Sequence, residues 1–165
     1  MADKQSATFT LKLQADRAIV ITRLFDAPRK LVFEAFTKPE HVAKWWGPRS
    51  TTLSHCEMDF RPGGAWRFVT RESDGSEYGF KGKYREILPP ERLVQTFEFE
   101  GMPGHVAVET LTFEEQGGKT KLTNTILYAS AEDRDGHFNS GMEPGARESM
   151  DRLAEHLAGW TAKVR

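Results

Sequence analysis

Apolar residues recur with two different periods along the chain, and the change of period marks a change of structure. From Arg17 to Phe25 the run Ile19, Val20, Ile21 and Leu24 predicts a β-strand that ends at Asp26-Ala27-Pro28. A helix is expected next, with Asp26 accepting from free amides at its start, Pro28 in its first turn, and Leu31, Val32, Ala35 and Phe36 on one face. Thr37-Lys38-Pro39-Glu40 has the spacing of a capping box and predicts a second short helix, whose Val42, Trp45 and Trp46 precede a stop at Gly47-Pro48.

From Ser50 to Tyr128 the period falls to two. Turn chemistry interrupts it at Arg61-Pro62-Gly63-Gly64, Asp74-Gly75, Leu88-Pro89-Pro90, Gly101 to Gly104 and Gly117-Gly118, leaving room for six strands. Such short links join antiparallel neighbours, because a parallel crossover needs a dozen or more residues, so a meander is expected. In the last block, about Ser140 to Val164, the period returns to that of a helix. Met142, Ala146, Met150, Leu153, Leu157 and Trp160 form one apolar stripe, and Pro144 fits only near the helix start. Glu143, Arg147, Glu148, Asp151, Arg152 and Glu155 occupy the other side, which predicts a solvated outer face.

Alternation assigns each strand an inward row. These rows are Cys56, Met58 and Phe60; Trp66, Phe68 and Thr70; Tyr78, Phe80, Gly82 and Tyr84; Gln95, Phe97 and Phe99; Glu109, Leu111 and Phe113; and Leu122, Asn124 and Ile126. Aromatic rings dominate, and they serve equally as plain core or as a binding wall. Gln95, Glu109 and Asn124 are the exceptions. Buried without partners, each would cost on the order of 1–3 kcal/mol, so they need hydrogen bonds, water or a ligand. Three readings stay open: they line a wet cavity, they satisfy backbone groups at strand ends, or the register is one residue out and they face solvent.

Composition narrows the function. With 23 Lys plus Arg against 24 Asp plus Glu, the net field is too weak to draw the protein to nucleic acid or anionic lipid. Cys56 is the only cysteine, so no internal disulfide forms; a reducing, cytoplasmic location is the expectation, and no secretion signal or membrane-spanning window is visible. Cys56 reads as a small core residue rather than a nucleophile. The five histidines lack metal-ligand spacing, and the paired glycines lack a phosphate-binding fingerprint, so neither a metal nor a cofactor is expected. His105 and Glu109 lie four apart on one strand face, within acid/base reach or simply as a loop histidine beside a structural carboxylate. No repeat or linker divides the chain: residues 1–165 are expected to form one domain, with 1–16 as an N-terminal extension.

Several segments together resemble the SRPBCC or START-like superfamily and, more narrowly, the branch named after the activator of the heat-shock protein 90 ATPase. They are Asp26-Ala27-Pro28 with Val32-Phe33, Trp45-Trp46-Gly47-Pro48, Arg61-Pro62-Gly63-Gly64, Asp74-Gly75, Gly82-Lys83-Tyr84-Arg85-Glu86-Ile87, Pro89-Pro90-Glu91-Arg92-Leu93, Thr120 to Thr123, Gly141-Met142-Glu143 and Arg152-Leu153. The resemblance runs from about Arg17 to Trp160. It implies an α+β helix-grip fold: a seven-stranded curved antiparallel sheet around a long C-terminal helix, with two short helices sealing one end. It further implies a cavity for a hydrophobic or amphipathic small molecule. The candidate ligand-binding residues are Trp66, Phe68, Tyr78, Phe80, Tyr84, Gln95, Phe97, Glu109, Leu111, Asn124, Met142, Ala146 and Met150. Some relatives carry tryptophan where Ala146 follows Gly145, so a roomier cavity is expected here. An enzyme of the cyclase, dehydratase or hydrolase kind, using His105, Glu109 and Tyr84, is the first alternative, although no catalytic motif is recognisable. A stress-response co-chaperone is the second, although Met1 to Asp16 is too short to supply the separate chaperone-contacting domain of the activator itself. The chain is expected to be a monomer or homodimer.

Overall fold

The computed structural model describes residues 9–164 of the chain and, toward the C-terminus, side chains as far as Thr161. Its strands are β1 (Phe9–Gln14), β2 (Ala18–Phe25), β3 (Thr51–Met58), β4 (Ala65–Glu72), β5 (Glu77–Leu88), β6 (Arg92–Phe99), β7 (Val106–Gln116) and β8 (Lys119–Leu127). All neighbours pair antiparallel in the order β1-β2-β8-β7-β6-β5-β4-β3. The meander from β3 to β8 therefore folds back onto the β1–β2 hairpin. Two helices, α1 (Arg29–Thr37) and α2 (Pro39–Trp45), carry the chain from β2 to the far edge at β3, while α3 (Ala131–Asn139) and α4 (Met142–Val164) follow β8.

The sheet has eight strands rather than seven, and the additional one lies inside the segment expected to be an extension. Its alternation is visible in retrospect: Phe9 and Leu11 pack against a core cluster, and Thr10 hydrogen-bonds across to Thr22 between side-chain hydroxyls. Helix α3 is likewise an addition. Its apolar face is weak, but Ser130 caps it by accepting from the amide of Asp133 at 3.0 Å.

Two expected caps do not form. Helix α1 begins after Pro28 with no side-chain cap, so Asp26 does not serve it. Thr37 is still part of α1, and its hydroxyl donates back to the Phe33 carbonyl at 3.0 Å instead of capping α2, whose N-cap is Lys38.

Strands β5 and β6 come very close at Gly82. A Cβ there would lie 1.9 Å from the Thr96 carbonyl, so only glycine lets β6 approach this closely. The Lys83 amide turns to the Thr96 hydroxyl at 2.8 Å, and the β5–β6 register shifts between Tyr84 and Glu86. Trp66, opposite Gly82 on β4, brings its ring toward Phe97 at a centroid distance of 6.1 Å.

Helix α4 lies on the concave side. Leu153 and Leu157 enter a core shared with α1, α2 and β4–β8, whereas Met142 and Ala146 pack against a second cluster built on Phe9, Ile19, Ile21, Ala107, Ile126 and Tyr128; Met150 touches both. The charged face is not simply solvated. Asp151 pairs with the buried Arg23 at 2.6 Å, Arg152 donates to the carbonyls of Gly47 at 2.9 Å and Pro48 at 3.1 Å, and Glu155 pairs with Arg49 at 2.5 Å. Among the described residues no helix is long and apolar enough to cross a membrane.

Candidate functional site

The three polar exceptions meet. Pairing of β6 with β7 sets Gln95 opposite Glu109, and pairing of β7 with β8 sets Asn124 opposite Leu111, two residues along the same inward row. Gln95 donates through Nε2 to Glu109 Oε1 at 2.9 Å, and Asn124 donates through Nδ2 to Glu109 Oε2 at 3.1 Å. The expected register is the observed one, and the polar groups satisfy side chains rather than strand-end backbone. Burial pushes the Glu109 carboxyl above its ordinary range, while the two amide donors pull it back down. Asn124 Oδ1, on the other arm of the same amide, is buried and has no hydrogen-bond partner.

Aromatic side chains continue the inward rows beside this trio. Phe97 stacks with Phe80 at 5.7 Å and with His137 of α3 at 6.2 Å, and Trp46 meets Phe68 and Phe80 edge-on at 5.2 and 5.1 Å. Sequence reasoning did not select two polar residues of this wall, Tyr128 and His137. The Tyr128 hydroxyl and His137 Nδ1 are 2.5 Å apart, and the field of Glu109 raises the Tyr128 hydroxyl after the larger effect of burial. Burial lowers the imidazole of His137. Tyr128 extends the row Leu122, Asn124, Ile126 by one step, a signal present in the sequence. His137 had none, because the weakly amphipathic α3 that carries it was not expected.

The remaining candidates separate by depth. Trp66, Phe68, Tyr84 and Leu111 are buried, whereas Phe80, Gln95, Phe97, Glu109, Asn124, Met142, Ala146 and Met150 keep partly accessible surface. Tyr78, 44% exposed, stands outside the group and reaches Phe99 at 6.3 Å. Tyr84 lies against Phe60 at 5.0 Å. His105 does not join Glu109: its Nδ1 is 2.8 Å from Asp133 Oδ1 on α3, in an exposed pair. The Cys56 thiol, with burial pushing it up to about 11, stays protonated at neutral pH. Among the described residues no cluster of His, Cys, Asp and Glu could hold a metal ion.

A curved antiparallel sheet gripping a long C-terminal helix, with two short helices inserted after the strand that joins the meander, defines a helix-grip protein of the START-like class. The chain belongs to the Activator of Hsp90 ATPase homolog 1-like family, whose sequence profile matches residues 26–158. Solved structures agree. A protein from Rhodobacter sphaeroides is 24% identical with a TM-score of 0.85, over 92% of this chain and 99% of that one. A Mycobacterium smegmatis protein is 25% identical with a TM-score of 0.82, over 90% and 96%. The AHSA1 protein of Silicibacter pomeroyi is 20% identical with a TM-score of 0.71, over 86% and 97%. At such identities the likeness is one of fold. No curated protein sequence matches the chain.

Proposed function

We propose that the chain binds a small amphipathic molecule in a void between the concave face of β5–β8 and the N-terminal half of α4. The observation that carries this reading is at Glu109: its carboxylate is held by Gln95 and Asn124 on an inward, largely apolar row, yet the residue is only partly buried. Both hold together when its accessible surface faces interior space rather than bulk water. Phe80, Phe97, Met150 and Ala146 have the same partial accessibility around it.

The side chains of α4 support this. Helix α4 packs closely on α1, α2 and α3, and its side chains reach the sheet through Leu153 and Leu157 on one side and Met142, Ala146 and Met150 on the other. Met142, Ala146 and Met150, which α4 turns toward this region, are small or flexible and only partly buried. Aromatic and aliphatic walls with a few convergent polar groups are the usual make-up of a ligand pocket.

Titration with the neutral dye Nile red tests the proposal. Saturable binding with one dye per chain is expected, and Ala146→Trp should weaken it by roughly tenfold or more by filling the gap, with little change in melting temperature. Absence of saturable binding to the wild type, or a variant that binds as well as the wild type, would overturn it.

A further inference from the structure

Resting on that reading, we infer that the guest's polar end is an ammonium group seated on Glu109, so that the favoured ligands are amphipathic primary amines. Each carboxylate oxygen already accepts one amide N–H, from Gln95 at 2.9 Å and from Asn124 at 3.1 Å. Donors on both oxygens match an ionised, acceptor-only carboxylate, which still has about two lone-pair positions unused. A protonated acid would add a donor to a shell that already consists of donors.

This negative charge has no cation beside it. Among the described residues no ion pair within 4.0 Å involves Glu109, and no charged side chain perturbs its carboxyl. The nearby basic groups are engaged elsewhere: Arg23 with Asp151, Arg134 with Asp135 and the carbonyls of Ala15 and Ala18, and His137 with Tyr128. An isolated ionised carboxylate is costly to bury, and a cationic guest removes that cost.

A further polar atom is Asn124 Oδ1. Nδ2 of the same amide is fixed on Glu109, and Oδ1, on its other arm, is buried and without a partner. Turning that amide would add a second acceptor next to the carboxylate, which Leu111, Ile126 and Phe97 flank along the paired strands. An ammonium group, with three N–H donors and one positive charge, matches the charge and the unused lone pairs of the carboxylate. A hydroxyl has one donor and no charge, and a fatty carboxylate is repelled.

Competition of decylammonium, decanol, decanoate and decyltrimethylammonium against Nile red at neutral pH decides the matter. Decylammonium should bind at least about tenfold more tightly than decanol, the size of one charge-assisted hydrogen bond. Decyltrimethylammonium, which keeps the charge but has no N–H, should fall between them, and decanoate should be weakest. Glu109→Gln should erase the preference for decylammonium while leaving decanol unchanged. Equal binding of decanol and decylammonium would overturn the ammonium assignment and leave the cavity standing; failure of the dye itself to bind would remove the cavity and the assignment together. If Glu109→Gln does not fold, the wild-type series alone decides. If it folds and still prefers decylammonium, the carboxylate is not the seat.

Discussion

The two halves of α4 do different work. Toward the C-terminus, Leu153 and Leu157 are 0% and 2% exposed, Trp160 stacks on His41 at 4.1 Å, and His41 Nδ1 lies 2.8 Å from His156 Nε2. Ser149 ties the same region to α2, accepting from the Gly47 amide and donating to the Trp45 carbonyl, both at 3.2 Å. Toward the N-terminus, Met142, Ala146 and Met150 are only half-buried, and one anchor is a surface one, the Arg147 guanidinium over the Phe9 ring at 4.3 Å. A helix fastened firmly at one end can stand off the sheet at the other. Under the proposed function, stability and ligand binding are divided along this single element.

Truncation at the two ends breaks or upholds this contrast most directly. Leu153→Ala should cost about 3 kcal/mol, as large-to-small changes at filled positions do, whereas Met142→Ala should cost less than about 1 kcal/mol because Met142 is only partly buried. Urea unfolding midpoints of the two variants measure the difference; equal losses would mean that the N-terminal half is as tightly packed as the other. Between the two halves, Asp151 holds the buried guanidinium of Arg23. Asp151→Ala should cost about 2 kcal/mol, the usual worth of a hydrogen bond to a charged group, since Asp151 itself is 33% exposed. A loss below about 0.5 kcal/mol in the same unfolding assay would show that Arg23 does not depend on it.

How far this division was legible in the sequence varies with the physics involved. The stripe from Met142 to Trp160 and the inward rows of β6–β8 follow from periods that the backbone imposes, whereas on the other strands Tyr78 is exposed and the register shifts between Leu53 and His55 and between Tyr84 and Glu86. Gln95, Glu109 and Asn124 stood out because a polar group among apolar neighbours needs a partner, but the sequence could not show that they partner one another. That depends on the strand stagger fixed by the turns. Helix α3 and β1 were missed for a shared reason: their apolar patterns are short or weak, and tertiary contacts such as Phe9 with Arg147 and His137 with Tyr128 stabilise them. The charged face of α4 looked solvated because charge alone does not reveal a docking loop.

The smallest expected effect gives the sharpest view of the N-terminal half. Burial raises the Glu109 carboxyl above its ordinary value of 4.5, so between that value and the folded one the native state binds more protons than the unfolded chain, and stability must fall as pH rises. The contribution is complete below the ordinary value and is lost as pH passes the folded one. His137 acts in the opposite sense: burial holds it below 6.5, so its contribution is present above that value and is lost as pH falls through the folded one. Glu109→Gln removes the first dependence and leaves the second. Its amide retains an acceptor for one donor, and Asn124 can turn its unpartnered oxygen toward the new N–H. The variant should therefore match the wild type in urea at about pH 4, where the native carboxyl is largely protonated, and exceed it slightly at about pH 7.5. A variant clearly weaker than the wild type at the higher pH would make the carboxylate a structural anchor. The region beneath the N-terminal half of α4 would then be built for stability, like the region beneath its C-terminal half, and the contrast between the two would disappear.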